Sequence, residues 1–184
     1  MAATPSNMLP LGTTAPDFTL PDTVSDQTLS LQTLKSDKAT LVMFICNHCP
    51  YVIHVADELV KLSQDYTPQG VSLVAISAND VDNYPADAPD KMKALANTWG
   101  NPFPYLYDES QATAKAYKAA CTPDFYLFDG ELKCAYRGQL DGSRPGNNTP
   151  VTGKDLRAAL DNLLAGKPVD PNQTPSIGCN IKWK

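Results

Sequence analysis

The sequence is short of the features that mark several large classes of protein. Its 184 residues carry 15 Lys and Arg against 20 Asp and Glu, a formal net charge of −5, with no run of basic residues. Such an acidic chain is poorly suited to the phosphate backbone, so we expect no nucleic-acid partner. The longest apolar run, Leu41 to Cys46, is too short to cross a bilayer, so we expect no membrane partner. Residues 1–16 lack the charge and apolar stretch of a signal peptide, which favours a cytoplasmic location.

Cysteine is also scarce, and its five copies are too scattered for a small disulfide-stapled scaffold. The odd number leaves at least one thiol unpaired if only intramolecular bridges form. In a reducing cytoplasm, cysteines are more often catalytic, redox-sensing, metal-binding or simply buried. The length suits one domain with an appended tail, and 42% hydrophobic residues suffice for a buried core. We place the domain at residues 1–166 and an extended C-terminal tail, which carries Cys179, at residues 167–184.

Hydrophobic periodicity predicts an α/β fold. The apolar runs 41–45 and 71–76 are continuous, which is typical of strands buried on both faces of a parallel sheet. Between them Pro50 opens a helical pattern, which predicts a βαβ unit. The Asp129-Gly130 pair predicts a hairpin between two strand-like segments. Further strands are expected near 18–20, 29–31, 105–107, 124–128 and 133–139, and further helices near 92–99, 112–120 and 152–165. The predicted architecture is a central mixed sheet with helices on both faces and an N-terminal β extension.

Cys49 is the residue with the clearest chemistry. It follows a buried strand and precedes Pro50, so it lies at the carboxyl end of a strand and at the start of a helix. Free N–H groups and the positive end of the helix dipole favour a thiolate there and lower the pKa of such thiols. Ligands of open α/β sheets also collect at the carboxyl ends of strands. The sequence therefore predicts a reactive thiol at Cys49 rather than an inert, buried one.

Residues 44–52, FICNHCPYV, resemble the active-site segment of the thioredoxin superfamily. Aligned on its following proline, Cys49 takes the place of the nucleophilic cysteine, and Val52 takes the place of the usual second one. The visible C-x-x-C, Cys46 to Cys49, is therefore displaced upstream by three residues. Residues 15–20, APDFTL, resemble the first strand of peroxiredoxins. Residues 122–125, TPDF, resemble the cis-proline turn of the superfamily.

The chain is most similar to the peroxiredoxin-like, AhpC/TSA-type group of thioredoxin-fold proteins, whose members carry CNHCPY and a tail like PSIGC. This resemblance implies a thioredoxin-like fold and a thiol-dependent oxidoreductase with Cys49 as its nucleophile. The substrate would be a peroxide or a protein disulfide, and a thioredoxin-like protein would restore the thiols. No organic cofactor is implied, since no glycine-rich phosphate loop of the usual spacing appears.

The resemblance also implies roles for residues around the nucleophile. The Thr122-Pro123 turn would face Cys49 and dock thiol substrates with its backbone, next to Pro50 at the helix start. His48 could stabilise the thiolate or carry a proton.

Peroxiredoxins also place a hydroxyl three residues before the nucleophile and use a downstream arginine to hold the peroxide. Here Cys46 occupies the hydroxyl position. Arg144 is the candidate arginine, with Arg137 as the other option.

The thiol that resolves oxidised Cys49 is open among three cysteines. Cys46 is close in sequence, and Cys121 directly precedes the predicted cis-proline turn. Cys179 lies in 177–183, a segment whose period-two pattern predicts an added edge strand. Thirteen residues after Gly166, it can reach about 43 Å at ~3.3 Å each. It can therefore serve its own chain or a neighbour's in a homodimer.

Two rival functions use the same residues. Cys46, Cys49 and His48, with Cys121 or Cys179, could bind zinc or copper, although a second C-x-x-C or an H-x₃-H pair is missing. A redox-inactive binding module on the same fold is the third interpretation. We predict that metal binding is not the primary function of the protein.

Two other residues are expected to take no part. Cys134 lies in the middle of a strand and is predicted to belong to the core. His54 lies off the apolar stripe of its helix and is predicted to be exposed.

Overall fold

The structure of the protein is a computed structural model, which describes residues 3–184. Its strands are β1 Ala3–Pro5, β2 Thr19–Pro21, β3 Thr28–Ser30, β4 Ala39–Phe44, β5 Val71–Ser77, β6 Tyr105–Tyr107, β7 Cys121–Thr122, β8 Asp124–Asp129, β9 Cys134–Gly138 and β10 Ile177–Asn180. Its helices are α1 Leu31–Leu34, α2 Pro50–Tyr66, α3 Pro89–Thr98, α4 Ala112–Ala116 and α5 Lys154–Leu164, with 3₁₀ turns at Thr67–Gln69 and Pro85–Asp87. None of these helices has both the length and the apolar character needed to cross a bilayer.

The central sheet has five strands in the order β6-β5-β4-β8-β9. β4, β5 and β6 run parallel to one another, while β8 and β9 add antiparallel. Every residue of β4 is buried, and its side chains alternate between two cores. Leu41 and Met43 pack under α2, α3 and α5, on what we call the α2 face. Val42 and Phe44 pack with α1 and α4 on the opposite, α4 face, so the predicted mixed sheet with helices on both faces is confirmed.

The predicted hairpin joins β8 to β9. Gly130 is required there for space, because a Cβ at this position would lie 2.0 Å from the carbonyl oxygen of Asp37. The left-handed conformation falls instead on Leu132, whose φ is 59°, and β9 resumes only at Cys134. The sequence therefore located the hairpin, but its turn is longer than a two-residue connection.

Two helices are shorter than predicted, each for a local reason. α4 ends at Ala116, and Lys118 soon afterwards adopts a left-handed φ of 54°. α5 begins at Lys154 rather than near Thr152. The Asp141 carboxylate accepts the N–H groups of Thr152 at 2.7 Å and Gly153 at 2.6 Å, which fixes the approach to this helix.

A second, three-stranded sheet has the order β1-β10-β7, with antiparallel pairing throughout. β10, in the C-terminal tail, is thus the middle strand of its sheet. The edge strand predicted for this segment is wrong, because β1 pairs with its outer side. The expected alternation also ends at Asn180: Cys179 packs on the α2 face, and Ile181 packs on the α4 face. The division of the chain at residue 166 stays a prediction.

The two tryptophans lie in different surroundings. Trp99, at the end of α3, packs on Phe103 with ring centroids 6.2 Å apart. Trp183, shortly after β10, is 41% exposed, and the Lys115 ammonium lies 5.8 Å from the centroid of its ring.

Candidate active site

Cys49 lies between β4 and α2, where the sequence predicted it. It is the N-cap residue of α2, and Pro50 occupies the first turn. Its carbonyl oxygen accepts the N–H groups of Val52 and Ile53, both at 3.0 Å. The Val52 N–H, which also acts on the sulfur, and the dipole of this 17-residue helix favour a negative charge on the sulfur.

The Cys49 sulfur is surrounded by hydrogen-bonding groups from three other parts of the chain. The thiols of Cys46 and Cys179 and the side chain of Thr122 hydrogen-bond to it. The Thr122 hydroxyl oxygen lies 3.5 Å from the Cys46 sulfur, and the Thr122 carbonyl oxygen lies 3.2 Å from the Cys49 sulfur. The Thr122-Pro123 peptide bond is cis, as predicted. The turn and two of the three candidate partner thiols therefore meet at the nucleophile.

These contacts set the ionisation of the three cysteines. The hydrogen bond from Cys46 has the largest effect on Cys49, and with those from Cys179 and Thr122 it outweighs burial and holds the pKa of Cys49 well below its ordinary value. The pKa of Cys46 is raised by its hydrogen bond to Cys49 and by burial. Burial, followed by the hydrogen bond to Cys49, raises the pKa of Cys179. At neutral pH the site therefore holds one thiolate between two thiols.

Asp87 is the functional residue that the sequence did not reveal. It lies in the 3₁₀ turn before α3 and is fully buried. Its carboxylate accepts the backbone N–H groups of Asn47 at 2.7 Å and His48 at 3.3 Å, and the side-chain amide of Asn79 at 2.9 Å. Asp87 therefore fixes the loop that carries both cysteines of the C-x-x-C. In the sequence it is one of several acidic residues in a proline-rich stretch, and no local signal singles it out.

His48 is held by the same carboxylate. Its Nδ1 lies 2.6 Å from Oδ2 of Asp87, so the ring donates at that nitrogen. The ring also stacks on Tyr84, with centroids 5.6 Å apart and an interplanar angle of 7°. The ring is thus fixed in position next to the active-site loop, and its predicted part in proton transfer stays a prediction.

Cys121, the third candidate partner thiol, is oriented differently from the other two. Its sulfur lies 3.6 Å from the carbonyl oxygen of Pro123 and 4.0 Å from that of Ser176, and it donates to carbonyls rather than to a sulfur. Burial raises the pKa of Cys121, with a further contribution from Asp124.

The two arginines considered for the peroxide also differ in their surroundings. Arg144 donates to the carbonyl oxygens of Asp141 and Ser143, each at 2.7 Å, and its charge acts on the Cys121 thiol. It also lines a small cavity beside Pro123. Arg137 instead donates to the Leu9 carbonyl at 2.6 Å and to the Gln173 side chain at 2.7 Å. Arg144 is therefore the arginine that the structure brings to the cis-proline turn.

The predictions for Cys134 and His54, the two residues expected to take no part in the site, differ in their outcome. Cys134 is buried on the α4 face, and its sulfur lies 3.7 Å from the carbonyl oxygen of Tyr136, so its assignment to the core is confirmed. The exposure predicted for His54 is wrong. Its Nε2 lies 2.7 Å from the Ser143 hydroxyl, because the loop around residue 143 folds over the first turns of α2.

Three side chains that could serve as metal ligands also lie together, and they are not the set that the sequence predicted. Ligand atoms of Cys46, His48 and Asp87 lie within 4.8 Å of one another. Of the predicted ligands, Cys46 and His48 belong to this group, Asp87 joins them, and Cys49, Cys121 and Cys179 do not belong to it. Sulfur, nitrogen and oxygen ligands in such a group suit zinc.

Comparisons with known proteins show the family and the fold. The sequence model of the AhpC/TSA family matches residues 11–137. An uncharacterized conserved protein from Geobacillus kaustophilus is 61% identical, with a TM-score of 0.98 and a match covering 100% of this chain and 97% of that one. A hypothetical protein from Sinorhizobium meliloti 1021 is 49% identical, with a TM-score of 0.95 and 98% of each chain covered. A search of curated proteins found no match.

A more distant structure identifies the fold. The thioredoxin domain of a thiol-disulfide oxidoreductase from Bacteroides vulgatus is 20% identical, with a TM-score of 0.60, and the match covers 71% of this chain and 89% of that one. At this identity the likeness concerns the fold alone. The predicted thioredoxin-like fold, with an N-terminal β extension, is confirmed.

Proposed function

Because the chain belongs to the AhpC/TSA family, we propose that it is a thiol-dependent oxidoreductase whose Cys49 thiolate attacks a peroxide or a disulfide. One observation carries the proposal: the Cys49 sulfur lies at a helix start and accepts hydrogen bonds from two neighbouring thiols. The thiolate is the attacking form of cysteine, and an adjacent thiol is what an oxidised cysteine needs for its next step.

A peroxide is the substrate that we favour. The thiolate attacks one oxygen of the O–O bond, the other oxygen leaves and takes up a proton, and Cys49 becomes a sulfenic acid. A second thiol then condenses with it, which forms a disulfide and releases water. A thioredoxin-like partner returns two electrons and two protons. Thr122 supports this choice, because its hydroxyl lies 3.5 Å from the Cys46 sulfur and its side chain lowers the pKa of Cys49, so a hydroxyl is present in the site although position 46 has none.

Exchange with a protein disulfide is the second candidate, and the cis turn beside the nucleophile favours it. Here Cys49 attacks one sulfur of the substrate and displaces the other as a thiolate. Pro50, Thr122 and Pro123 would border the incoming chain in this reaction. In both reactions we assign His48 to proton transfer and Arg144 to holding substrate oxygens near the turn. We expect the protein to act in the cytoplasm.

The decisive comparison is between two single-cysteine replacements. Cys49→Ser should abolish thiol-dependent turnover of hydrogen peroxide, whereas Cys134→Ser should leave it within about two-fold of wild type, because Cys134 packs in the far core. Both variants remove one sulfur from a buried position, so each serves as the folding control of the other. Full activity of the Cys49 variant would end this proposal, and so would a wild-type Cys49 that stays reduced under peroxide, as in a redox-inactive binding module.

Metal binding is a further candidate, favoured by the grouping of Cys46, His48 and Asp87. It is tested by the metal content of protein purified under reducing conditions. We expect less than one equivalent of zinc or copper. A full equivalent that persists through dialysis, and that is lost in Asp87→Asn, would make metal binding the primary function.

A further inference from the structure

The C-terminal strand β10 occupies the backbone edge beside the nucleophile. Cys179 lies opposite Thr122 and Asn180 lies opposite Cys121 in an antiparallel pairing. This register places Cys179 opposite the residue whose carbonyl oxygen lies 3.2 Å from the Cys49 sulfur, and both cysteines are buried in the same core on the α2 face. The two thiols influence each other's pKa accordingly. An extended chain that approached Cys49 along the Thr122 edge would pair with the same backbone groups, since free strand edges accept added strands in this way.

The tail is fitted closely to the turn that it covers. A Cβ on Gly178 would lie 1.9 Å from the Thr122 carbonyl oxygen and 2.6 Å from its carbon, so only glycine allows this approach. The Ser176 hydroxyl donates to the Pro123 carbonyl oxygen at 2.6 Å. Residues on both sides of Ile177 thus contact the cis-proline turn, which indicates a specific seat rather than incidental packing.

The outer side of the tail is secured as well. β1 pairs along β10, and the Ser6 N–H donates to the Ser176 carbonyl oxygen at 2.8 Å. Beyond the strand, the Ile181 N–H donates to the Ala120 carbonyl oxygen at 3.1 Å. With the tail seated, Cys49 has none of its surface exposed.

We propose that the strand Ile177–Asn180 is an internal substrate, which supplies Cys179 as the thiol that resolves oxidised Cys49 and excludes extended protein chains from Cys49 while it is seated. The proposal rests on the redox function assigned to Cys49 above. The sulfenic acid of Cys49 reacts with the Cys179 thiol, the S–S bond forms as the S–O bond breaks, and water leaves. An external dithiol then reduces this disulfide and is itself oxidised to a disulfide.

Electrostatics distinguish Cys179 from Cys46, which also contacts Cys49. The attacking sulfur must lose its proton as it reacts. The Cys46 sulfur and a carboxylate oxygen of the buried Asp87 lie within 4.8 Å of each other, and this negative charge opposes that loss. The positive charge of Lys182 favours it at Cys179. Cys46 is thus suited to hold the Cys49 thiolate, and Cys179 is suited to react with its oxidised form.

The first test maps disulfides by mass spectrometry after one equivalent of hydrogen peroxide. We expect a Cys49–Cys179 bridge in wild type and in Cys46→Ser, and a sulfenic acid on Cys49, trapped by dimedone, in Cys179→Ser. Cys121→Ser is the matched control and should behave as wild type. A Cys46–Cys49 bridge in wild type would overturn the inference while leaving the proposed function intact. A Cys49 that stays reduced in every variant would instead defeat the proposed function.

The second test asks whether the seated tail excludes other chains. The probe is a peptide with the sequence of residues 175–180, its cysteine joined in a mixed disulfide to 2-nitro-5-thiobenzoate. Gly178→Val should unseat the strand and speed release of the coloured thiolate by about ten-fold or more, since an added side chain meets backbone atoms. In the same variant, the rate at which hydrogen peroxide oxidises Cys49 should change less than the rate of the peptide reaction.

Gly142→Val is the matched control, because a Cβ at Gly142 would meet nothing within 4 Å. It should leave release at the wild-type rate. Equal release from wild type and a folded Gly178→Val would refute the exclusion. If circular dichroism shows that Gly178→Val does not fold, Ser176→Ala replaces it, with an expected increase of about three-fold from the lost hydrogen bond. No increase in that variant would refute the exclusion too.

Discussion

Cys49 and Cys134 are both almost completely buried, yet their surroundings give them opposite chemistry. Cys134, 3% exposed, lies on the α4 face, and burial raises its pKa to about 11. Cys49, 0% exposed, lies at the start of α2, and its pKa is lowered. Burial acts against the thiolate in both cases. A carbonyl oxygen lies near each sulfur, that of Thr122 at 3.2 Å from Cys49 and that of Tyr136 at 3.7 Å from Cys134. The difference comes from the hydrogen-bond donors, because the side chains of Cys46, Cys179 and Thr122 lower the pKa of Cys49.

This contrast shows that accessibility is a poor guide to which cysteine in this protein is reactive. Solvent exposure would rank the two residues as equal. The two residues differ in the number of hydrogen-bond donors that face the sulfur. A thiolate is stabilised by such donors, and a carbonyl oxygen has no proton to donate. Donors can be removed one at a time, so the contrast can be tested directly.

The largest expected effect is the difference in alkylation between the two cysteines at acidic pH. At pH 6 we expect iodoacetamide to modify Cys49 about 100-fold faster than Cys134, because only Cys49 is mostly thiolate there and its lower nucleophilicity offsets only part of that advantage. The rate at Cys49 should fall only when the pH drops through its lowered pKa. Peptide mass spectrometry measures both rates in one sample. Equal rates at pH 6 would remove the contrast.

The next effect concerns the carboxylate that fixes the active-site loop. Asp87→Asn keeps the size of the side chain but removes the charge that accepts from Asn47, His48 and Asn79. We expect a loss of about 2 kcal/mol in the free energy of unfolding, measured in urea, because buried donors lose a charged acceptor. Asp90→Asn, at a carboxylate 72% exposed, should change it by less than about 0.5 kcal/mol. If Asp87→Asn has the wild-type free energy of unfolding, the active-site loop does not depend on the Asp87 charge for its stability.

The smallest of these effects makes Cys49 more like Cys134. Cys46→Ala removes the largest of the influences that lower the pKa of Cys49, so that pKa should rise. At a pH just above the wild-type pKa, alkylation of Cys49 should slow by about ten-fold, since each pH unit changes the thiolate fraction ten-fold. Cys121→Ala is the control and should leave the profile in place. If the pH dependence of Cys49 alkylation is unchanged in Cys46→Ala, the low pKa of Cys49 is due to the helix rather than to Cys46.

Local patterns were sufficient to predict much of this site. The apolar run before Cys49 and the proline after it placed the thiol at a strand end and a helix start. The turn at Thr122-Pro123 was read from its resemblance to known active sites. These features depend on residues that are neighbours in the sequence, so a single chain reveals them.

The remaining features depend on residues far apart in the chain. Asp87 meets His48 across 39 positions, and Thr122 meets Cys49 across 73 positions. Nothing near either residue in the sequence indicates its partner. The choice among three partner thiols was open for the same reason, because reach along the chain does not fix the direction of a side chain. The middle position of β10 likewise depended on β1, at the other end of the chain.

The position of Trp183, four residues beyond Cys179, gives the tail an optical reporter of its own. Its ring lies near Lys115, while Trp99 packs beside α3. When the tail leaves its seat, the surroundings of one indole change and those of the other stay the same. Intrinsic fluorescence can therefore follow the seating of the tail in unlabelled protein, and replacing Trp99 by phenylalanine isolates the signal.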